Sequence, residues 1–394
     1  MNDRAARFHL ASRMAGIALF EVMEIQTLAR RIEAAGRDVI HLEIGEPDFT
    51  TPQPIVDAAK RALDTKPMFY TSALGIAPLR DAISRFYQER YRVSVPAERI
   101  IVTAGSSAAL LLAFGVLLDA GDEVLLADPG YPCNRHFVHA LGGVAKLMAV
   151  GPHARYQLDA KSVAREWSAN TRAAMVASPS NPTGTMVDAA EMARLASFVR
   201  ENGGALIADE IYHGLTYGTD AKTAAEAGED VFVINSFSKY FQMTGWRLGW
   251  LVAPPAYVRE IEKLAQNLYI SPSTLAQHAA LAAFEPATIA ILEARRRELA
   301  ARRDFLVPAL VSLGFRVPVM PEGAFYVYAD CSELAADSFA FARDVLERAG
   351  VAITPGLDFG RNAPERHVRI AYTQPIHRLE EAMARLGALL GRRA

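Results

Sequence analysis

Between about Ile100 and Ala253 the chain alternates short β-rich runs with longer helix-like segments. The runs are residues 100–103, 123–127, 144–150, 173–177, 205–208, 231–234 and 248–252. Many are apolar throughout rather than alternating, as strands are when both faces are covered. The pattern predicts an α/β fold whose sheet is mainly parallel and carries helices on each side. Polar and glycine residues gather where the runs end: residues 104–107, 128–131, 178–184, 209–210 and 236–239. Ligands of open α/β sheets bind outside the carboxyl ends of strands. One site fed by several strand ends is therefore expected.

After Pro272 the pattern changes. A long helical stretch rich in Ala, Arg and Glu runs to about Leu310. A strand over residues 324–328, a helix near 338–348, a strand over 367–372 and a final helix follow, which reads as a second α+β unit. An N-terminal helix over roughly residues 17–35 has no evident partner in the sheet. It is expected to pack on the second unit or on another subunit. The longest apolar run, residues 104–118, opens on polar residues and is too short for a membrane span, so it reads as a buried core helix.

Composition narrows the picture only slightly. The 394 residues are 51% hydrophobic and 22% charged, with a formal net charge of -2, which favours neither nucleic acid nor an anionic membrane. The N-terminus, with Asp3, Arg4 and Arg7, lacks a secretory apolar region and cleavage site. Cys133 and Cys331 show no metal-ligand or CxxC spacing, and a reducing cytoplasm is the expected compartment.

The chain has 35 Arg and only 7 Lys, so the lysines can be sorted one by one. Lys60, Lys161 and Lys263 sit in charged helical contexts, Lys66 and Lys222 in turn-like segments, and Lys146 in an expected strand; all read as surface residues. Lys239 follows an apolar run directly, among hydroxyls and aromatics, where its amine reaches a strand-end pocket. A free amine is almost wholly protonated at pH 7, so a nucleophilic lysine needs desolvation, a cationic neighbour or an imine bond. Gly105, Ser106 and Ser107 lie between a strand and a helix and suit an anion at a helix N-terminus; alone, the segment is equally an ordinary helix cap. It is neither a P-loop nor GxGxxG, which argues against nucleotides. Arg247 adds a charged fork to the same anion. Asp209 ends an apolar run and suits a protonated ring nitrogen. Tyr212 or Asn181 suits a ring hydroxyl, and Tyr131 a ring face, although Asn181 also reads as part of a plain turn. Arg369 interrupts an apolar strand, where an arginine is costly unless paired or facing a ligand; a substrate carboxylate is the expected partner. A lysine, an anion cradle and a carboxylate of this kind are what pyridoxal 5'-phosphate (PLP) requires.

Nine spaced motifs agree in order with one family: residues 45–48, Tyr70 through Leu79-Arg80, 105–107, 178–184, 209–212, 236–239, 245–247, 323–326 and 368–369. The chain resembles the class I/II aminotransferases of PLP fold type I over nearly its whole length, with motifs similar to the bacterial aspartate/alanine-like branch. The resemblance implies a seven-stranded sheet, and a homodimer with sites at its interface. It implies that Lys239 carries PLP as a Schiff base and shuttles a proton, and that Asp209 pairs with the ring nitrogen. It further assigns the ring hydroxyl to Asn181 and Tyr212 and the ring face to Tyr131. The phosphate falls to Ser106, Ser107, Ser236, Ser238 and Arg247, with Tyr70 of the neighbouring subunit. The α-carboxylate falls to Arg369, helped by Asn181 and the Gly45 backbone. Tyr131 stands where several relatives have Trp, and Ser107 where others have Thr or Lys. No motif marks the pocket for the substrate side chain.

The expected division is an N-terminal segment (1–48) joining the small domain and the dimer interface, a large PLP-binding domain (49–288) and a C-terminal small domain (289–394). The expected reaction is ping-pong transfer from an aspartate- or alanine-like amino acid to a 2-oxo acid, with glutamate and 2-oxoglutarate as one pair. A carbon–sulfur β-lyase is the alternative on the same scaffold. A PLP-sensing transcription regulator is a remote one, since little chain precedes Gly45 for a DNA-binding module.

Overall fold

The computed structural model describes residues 10–392; Asp3, Arg4 and Arg7 lie outside them. Seven strands form the main sheet: Ile100–Thr103, Glu123–Asp128, Val144–Ala149, Thr171–Ala177, Ala205–Asp209, Phe232–Ser236 and Gly249–Val252. Each falls on a predicted run. Numbered along the chain, their order across the sheet is first, seventh, sixth, fifth, fourth, second, third. The strand Gly249–Val252 runs antiparallel to both its neighbours, and the other pairs are parallel.

The unbroken apolar runs have the predicted cause. Successive side chains of a strand point to opposite faces. Leu206 and Ala208 enter one core while Ala205 and Ile207 enter another, and Val233 parts from Phe232 and Ile234 in the same way. Each face of the sheet has its own apolar layer. The edge strand Val144–Ala149 is covered less, and Val144 is exposed.

The second unit holds a three-stranded antiparallel sheet, in the order Thr354–Pro355, His367–Ala371, Tyr326–Asp330. The 27-residue helix Pro286–Ser312 leads into it. The strand Tyr326–Asp330 begins two residues later than the pattern suggests, because Ala324 has φ 59° and cannot extend a strand. The helix predicted near 338–348 is an α-helix, Ser338–Asp344, that continues into a π-turn, Val345–Ala349.

The N-terminal helix, Glu21–Ala34, packs on this second unit with Ile25 and Ala29 turned inward. Ile40–His41 then pairs in parallel with Val351–Ala352. The N-terminal segment is thereby tied to chain more than 300 residues away. The apolar run at 104–118 is the buried helix Ser106–Leu117. Among the described residues no single helix is long and apolar enough to cross a membrane.

Candidate active site

The carboxyl ends of the parallel strands open into a cavity of about 330 Å³. Lys239, Asp209, Asn181 and Arg369 all line it, as do Tyr131 and Tyr212. The reason is topological. The strands ending at Ala177, Asp209 and Ser236 are neighbours in the sheet, so the loops after them converge.

Lys239 lies just beyond the strand Phe232–Ser236, and its Nζ donates to the Gly45 carbonyl at 2.7 Å. The amine sits 5.6 Å from the Phe325 ring centre and 5.8 Å from that of Tyr212. Burial is the main cause that lowers its pKa to about 8, with Glu46 working the other way. At that value roughly a tenth of the molecules hold a neutral amine at pH 7.

Asp209 closes the strand Ala205–Asp209 and is buried. Its Oδ1 accepts from Ile211 N–H at 3.2 Å. Burial pushes its carboxyl up to about 7, against the hydrogen bond from Ile211 and the charge on Lys239. A carboxylate held this way gains from a cation placed beside it.

The anion cradle is equally local. Gly105 has φ 80° and ψ 171° and starts the helix Ser106–Leu117. A Cβ on Gly105 would stand 2.6 Å from Arg247 Nη2, so a side chain here would fill the space beneath the guanidinium. Arg247 itself has φ 51° and donates Nη1 to Thr244 O at 3.0 Å and to Ser238 Oγ at 3.5 Å. Ser236 Oγ accepts from Ser238 N–H at 3.0 Å.

Arg369 is buried and well supported. It donates to Asn181 Oδ1 at 3.1 Å, to Glu43 O at 2.6 Å and to Thr354 Oγ1 at 3.2 Å. Its guanidinium lies 4.4 Å from the Tyr326 ring centre and 5.0 Å from that of Phe359. Nε is buried without a hydrogen-bond partner. The arginine that seemed costly in a strand is thus held by polar contacts and ring faces while opening on the cavity.

These residues fit PLP. A glycine-made cradle suits its phosphate, a buried carboxylate suits its ring nitrogen, and a partly deprotonated lysine suits its aldehyde.

Tyr70 does not join them: it is 80% exposed and lies outside the cavity. Sequence reasoning missed several residues that do. Tyr326 hydrogen-bonds Tyr212 hydroxyl to hydroxyl at 3.0 Å; its motif was visible but its contact was not. Glu43 is buried, its carbonyl accepts from Arg369, and its Oε1 accepts from His41 Nδ1 at 2.8 Å. Asp358 and the N-terminal Phe20, Val22 and Met23 line the cavity with no sequence signal that announces them.

Residues 37–386 match the family model for "Aminotransferase class I and II". Among curated proteins, the chain is 40% identical over 392 residues to the valine–pyruvate aminotransferase of Mycobacterium tuberculosis, covering 99% of each. It is 34% identical over 386 residues to the aspartate/prephenate aminotransferase of Thermus thermophilus, covering 97% of this chain and 99% of that one. A crystal structure of an aminotransferase from M. tuberculosis superposes with a TM-score of 0.94 at 40% identity, covering 98% of this chain and 99% of the other. The T. thermophilus aspartate aminotransferase with maleate gives 0.91 at 33% identity, covering 97% and 100%. Fold and site together define a fold-type-I PLP enzyme. Within that class the chain belongs to the class I and II aminotransferases, and it is a PLP-dependent transaminase acting on amino acids and 2-oxo acids.

Proposed function

We propose that Lys239 is the residue that binds the cofactor covalently and moves the proton at the substrate Cα. The observation that carries this is the placement of its lowered-pKa amine in the same cavity as Asp209 and Arg369. When bound, PLP supplies an electron sink for the bond broken at Cα. Asp209 holds its proton balance so that a cationic ring nitrogen is stabilised. Asn181 and Tyr212 bind the ring hydroxyl, and Tyr131 covers the ring face. Gly105, Ser106, Ser107, Ser236, Ser238 and Arg247 hold the phosphate. Arg369, with Asn181 and the Gly45 backbone, orients the α-carboxylate so that the Cα hydrogen lies near Lys239 Nζ.

The same reading makes the protein a homodimer in which Tyr70 reaches the phosphate of the neighbouring site. The exposed aromatic pair Phe69 and Tyr70 supports it, being 78% and 80% exposed in the single chain. It also divides the chain into a segment 1–48, a large domain 49–288 and a small domain 289–394, and places the enzyme in the cytoplasm. The relatives' names span valine, pyruvate, aspartate and prephenate, so they do not choose the donor. Glutamate and 2-oxoglutarate are the pair that the family resemblance suggests.

The test uses holoenzyme and single amino acids with no 2-oxo acid. Transamination converts the cofactor to its amine form, read by absorbance. A β-lyase would instead release pyruvate and ammonia and leave the cofactor on the lysine, and that result would overturn the transamination reading; a lysine-bound cofactor band that survives in Lys239→Ala would overturn the role given to Lys239.

A further inference from the structure

Of the motif at residues 45–48, Gly45 alone lines the cavity. Asp48, at the other end of the motif, turns instead to Arg302 on the long helix Pro286–Ser312. The two form a bidentate pair: Arg302 Nη1 donates to Asp48 Oδ1 at 2.8 Å and Nη2 to Oδ2 at 3.0 Å. Two parallel bonds fix orientation as well as distance. Arg302 is 1% exposed, and its guanidinium lies 4.9 Å from the Phe49 ring centre. Glu298, one turn earlier on the same helix, also accepts from Nη2.

Arg302 reaches both sides of the site through this pair and one further bond. Its Nη1 donates to Thr373 O at 2.6 Å, two residues beyond the strand His367–Ala371 that carries Arg369. Residues 44–47 are therefore held at both ends. At one end, Leu42 O accepts from Ala371 N–H at 2.7 Å and Glu43 O from Arg369 Nη2 at 2.6 Å. At the other end Arg302 grips Asp48. Between the two anchors, Gly45 O accepts from Lys239 Nζ at 2.7 Å. Past Asp48 the chain also supports the loop after Lys239: Thr51 Oγ1 donates to Gln242 O at 2.9 Å and accepts from Trp246 Nε1 at 3.0 Å. The segment that meets the lysine amine and the strand that carries the substrate arginine thus share one buried guanidinium.

We propose that Arg302 is a positioning residue of the reaction: paired with Asp48, it fixes the Gly45 segment against the strand of Arg369 and so sets the spacing between Lys239 and the substrate Cα. The inference rests on the reading of Lys239 as the proton carrier and Arg369 as the α-carboxylate clamp.

The experiment uses holoenzyme of Asp48→Asn and of Arg302→Lys, with the amino acid that converts the wild-type cofactor fastest. Arg302→Lys keeps the charge and loses the fork; Asp48→Asn keeps the shape and loses the charge. The limiting rate of forming the cofactor's amine form is expected to fall by about 100-fold in each, the scale of a misplacement near 1 Å. Half-saturation by the amino acid is expected to move far less than that rate. Deuterium at Cα should slow the variants by a larger factor than the wild type, because moving that hydrogen has become the slow step. The double variant should be no slower than the slower single variant, since each change breaks the same pair. Calorimetric titration of cofactor into the cofactor-free chain gives a readout apart from turnover, and its affinity is expected to stay at the wild-type value. Removing one partner of a buried pair can unfold a protein; Asp48, whose side chain is 23% exposed, then supplies the deciding variant. A wild-type limiting rate in a folded variant, or a loss carried by half-saturation or cofactor affinity alone, overturns the positioning role. Losses that multiply in the double variant overturn it as well. A lysine-bound cofactor band that persists in Lys239→Ala overturns the underlying reading instead, whatever these variants do.

Discussion

The two ends of the cavity are built in different ways. At the cofactor end, Asp209 and Ser236 close two adjacent strands, Ser238 and Lys239 follow the second of them, and Gly105, Ser106 and Ser107 follow a third strand. Each group is a short, local stretch of chain, and the sheet needs only to bring the stretches side by side. At the substrate end, the wall is composite. Glu21 and Asp358, which meet there, are 337 residues apart. The first end is chemically demanding, because a proton must be moved and a charge held at defined atoms. The second end carries no group that the proposed chemistry uses and closes the cavity off from water. The proposed chemistry thus sits at the ends of the sheet, while the opposite wall forms where two distant segments meet.

That contrast can be broken most sharply at Lys239. Lys239→Ala should abolish the absorbance band of the lysine-bound cofactor and lower turnover by at least about 10³-fold, the scale of losing a positioned general base. Retention of the band would move the covalent site elsewhere. Asp209→Asn removes one charge with little change of shape. It should lower kcat by about 100-fold, the scale of losing one preorganised electrostatic contact, and weaken cofactor binding. Steady-state kcat and cofactor titration check this, and an unchanged kcat would detach Asp209 from the ring nitrogen. At the other end, Phe20→Ala should act through the substrate alone. It is expected to lower kcat/KM for the amino acid that reacts fastest by about 10-fold, in line with lost apolar contact at the cavity wall, without moving cofactor affinity. A parallel loss of cofactor affinity would show that the two ends are not separate.

Adjacent residues show how much of this was legible beforehand. Asp209 and Glu210 are equivalent acids in the chain at the end of one apolar run. In the fold, Asp209 faces the cavity. Glu210 faces the core, where it accepts from Thr223 Oγ1 at 2.9 Å and lies 3.4 Å from His213 Nδ1. Burial raises the Glu210 pKa to about 8 and lowers that of His213 to about 3, so this pair serves the interior. The packing at the strand's end made the choice, with Asp209 closing the strand and Glu210 the first residue beyond it. Lys239 stood out among the seven lysines by following an apolar run directly, and the fold places it on the cavity.

The seven strands, the helix at 106–117 and the gathering of polar residues at the strand ends were readable from the sequence alone. Each depends on a local property: an unbroken apolar run, a glycine before a helix, a charge where a run stops. The tertiary structure alone decided that the N-terminal helix docks on the second unit, that Asp358 caps it, that Tyr326 meets Tyr212, and that Tyr70 stays out of its own chain's cavity. Those contacts join residues far apart along the chain, and local pattern carries no information about which distant segments meet. The strand ends that line the cavity, written in local motifs, could be read in advance. The substrate end exists only once the chain's two ends are brought together.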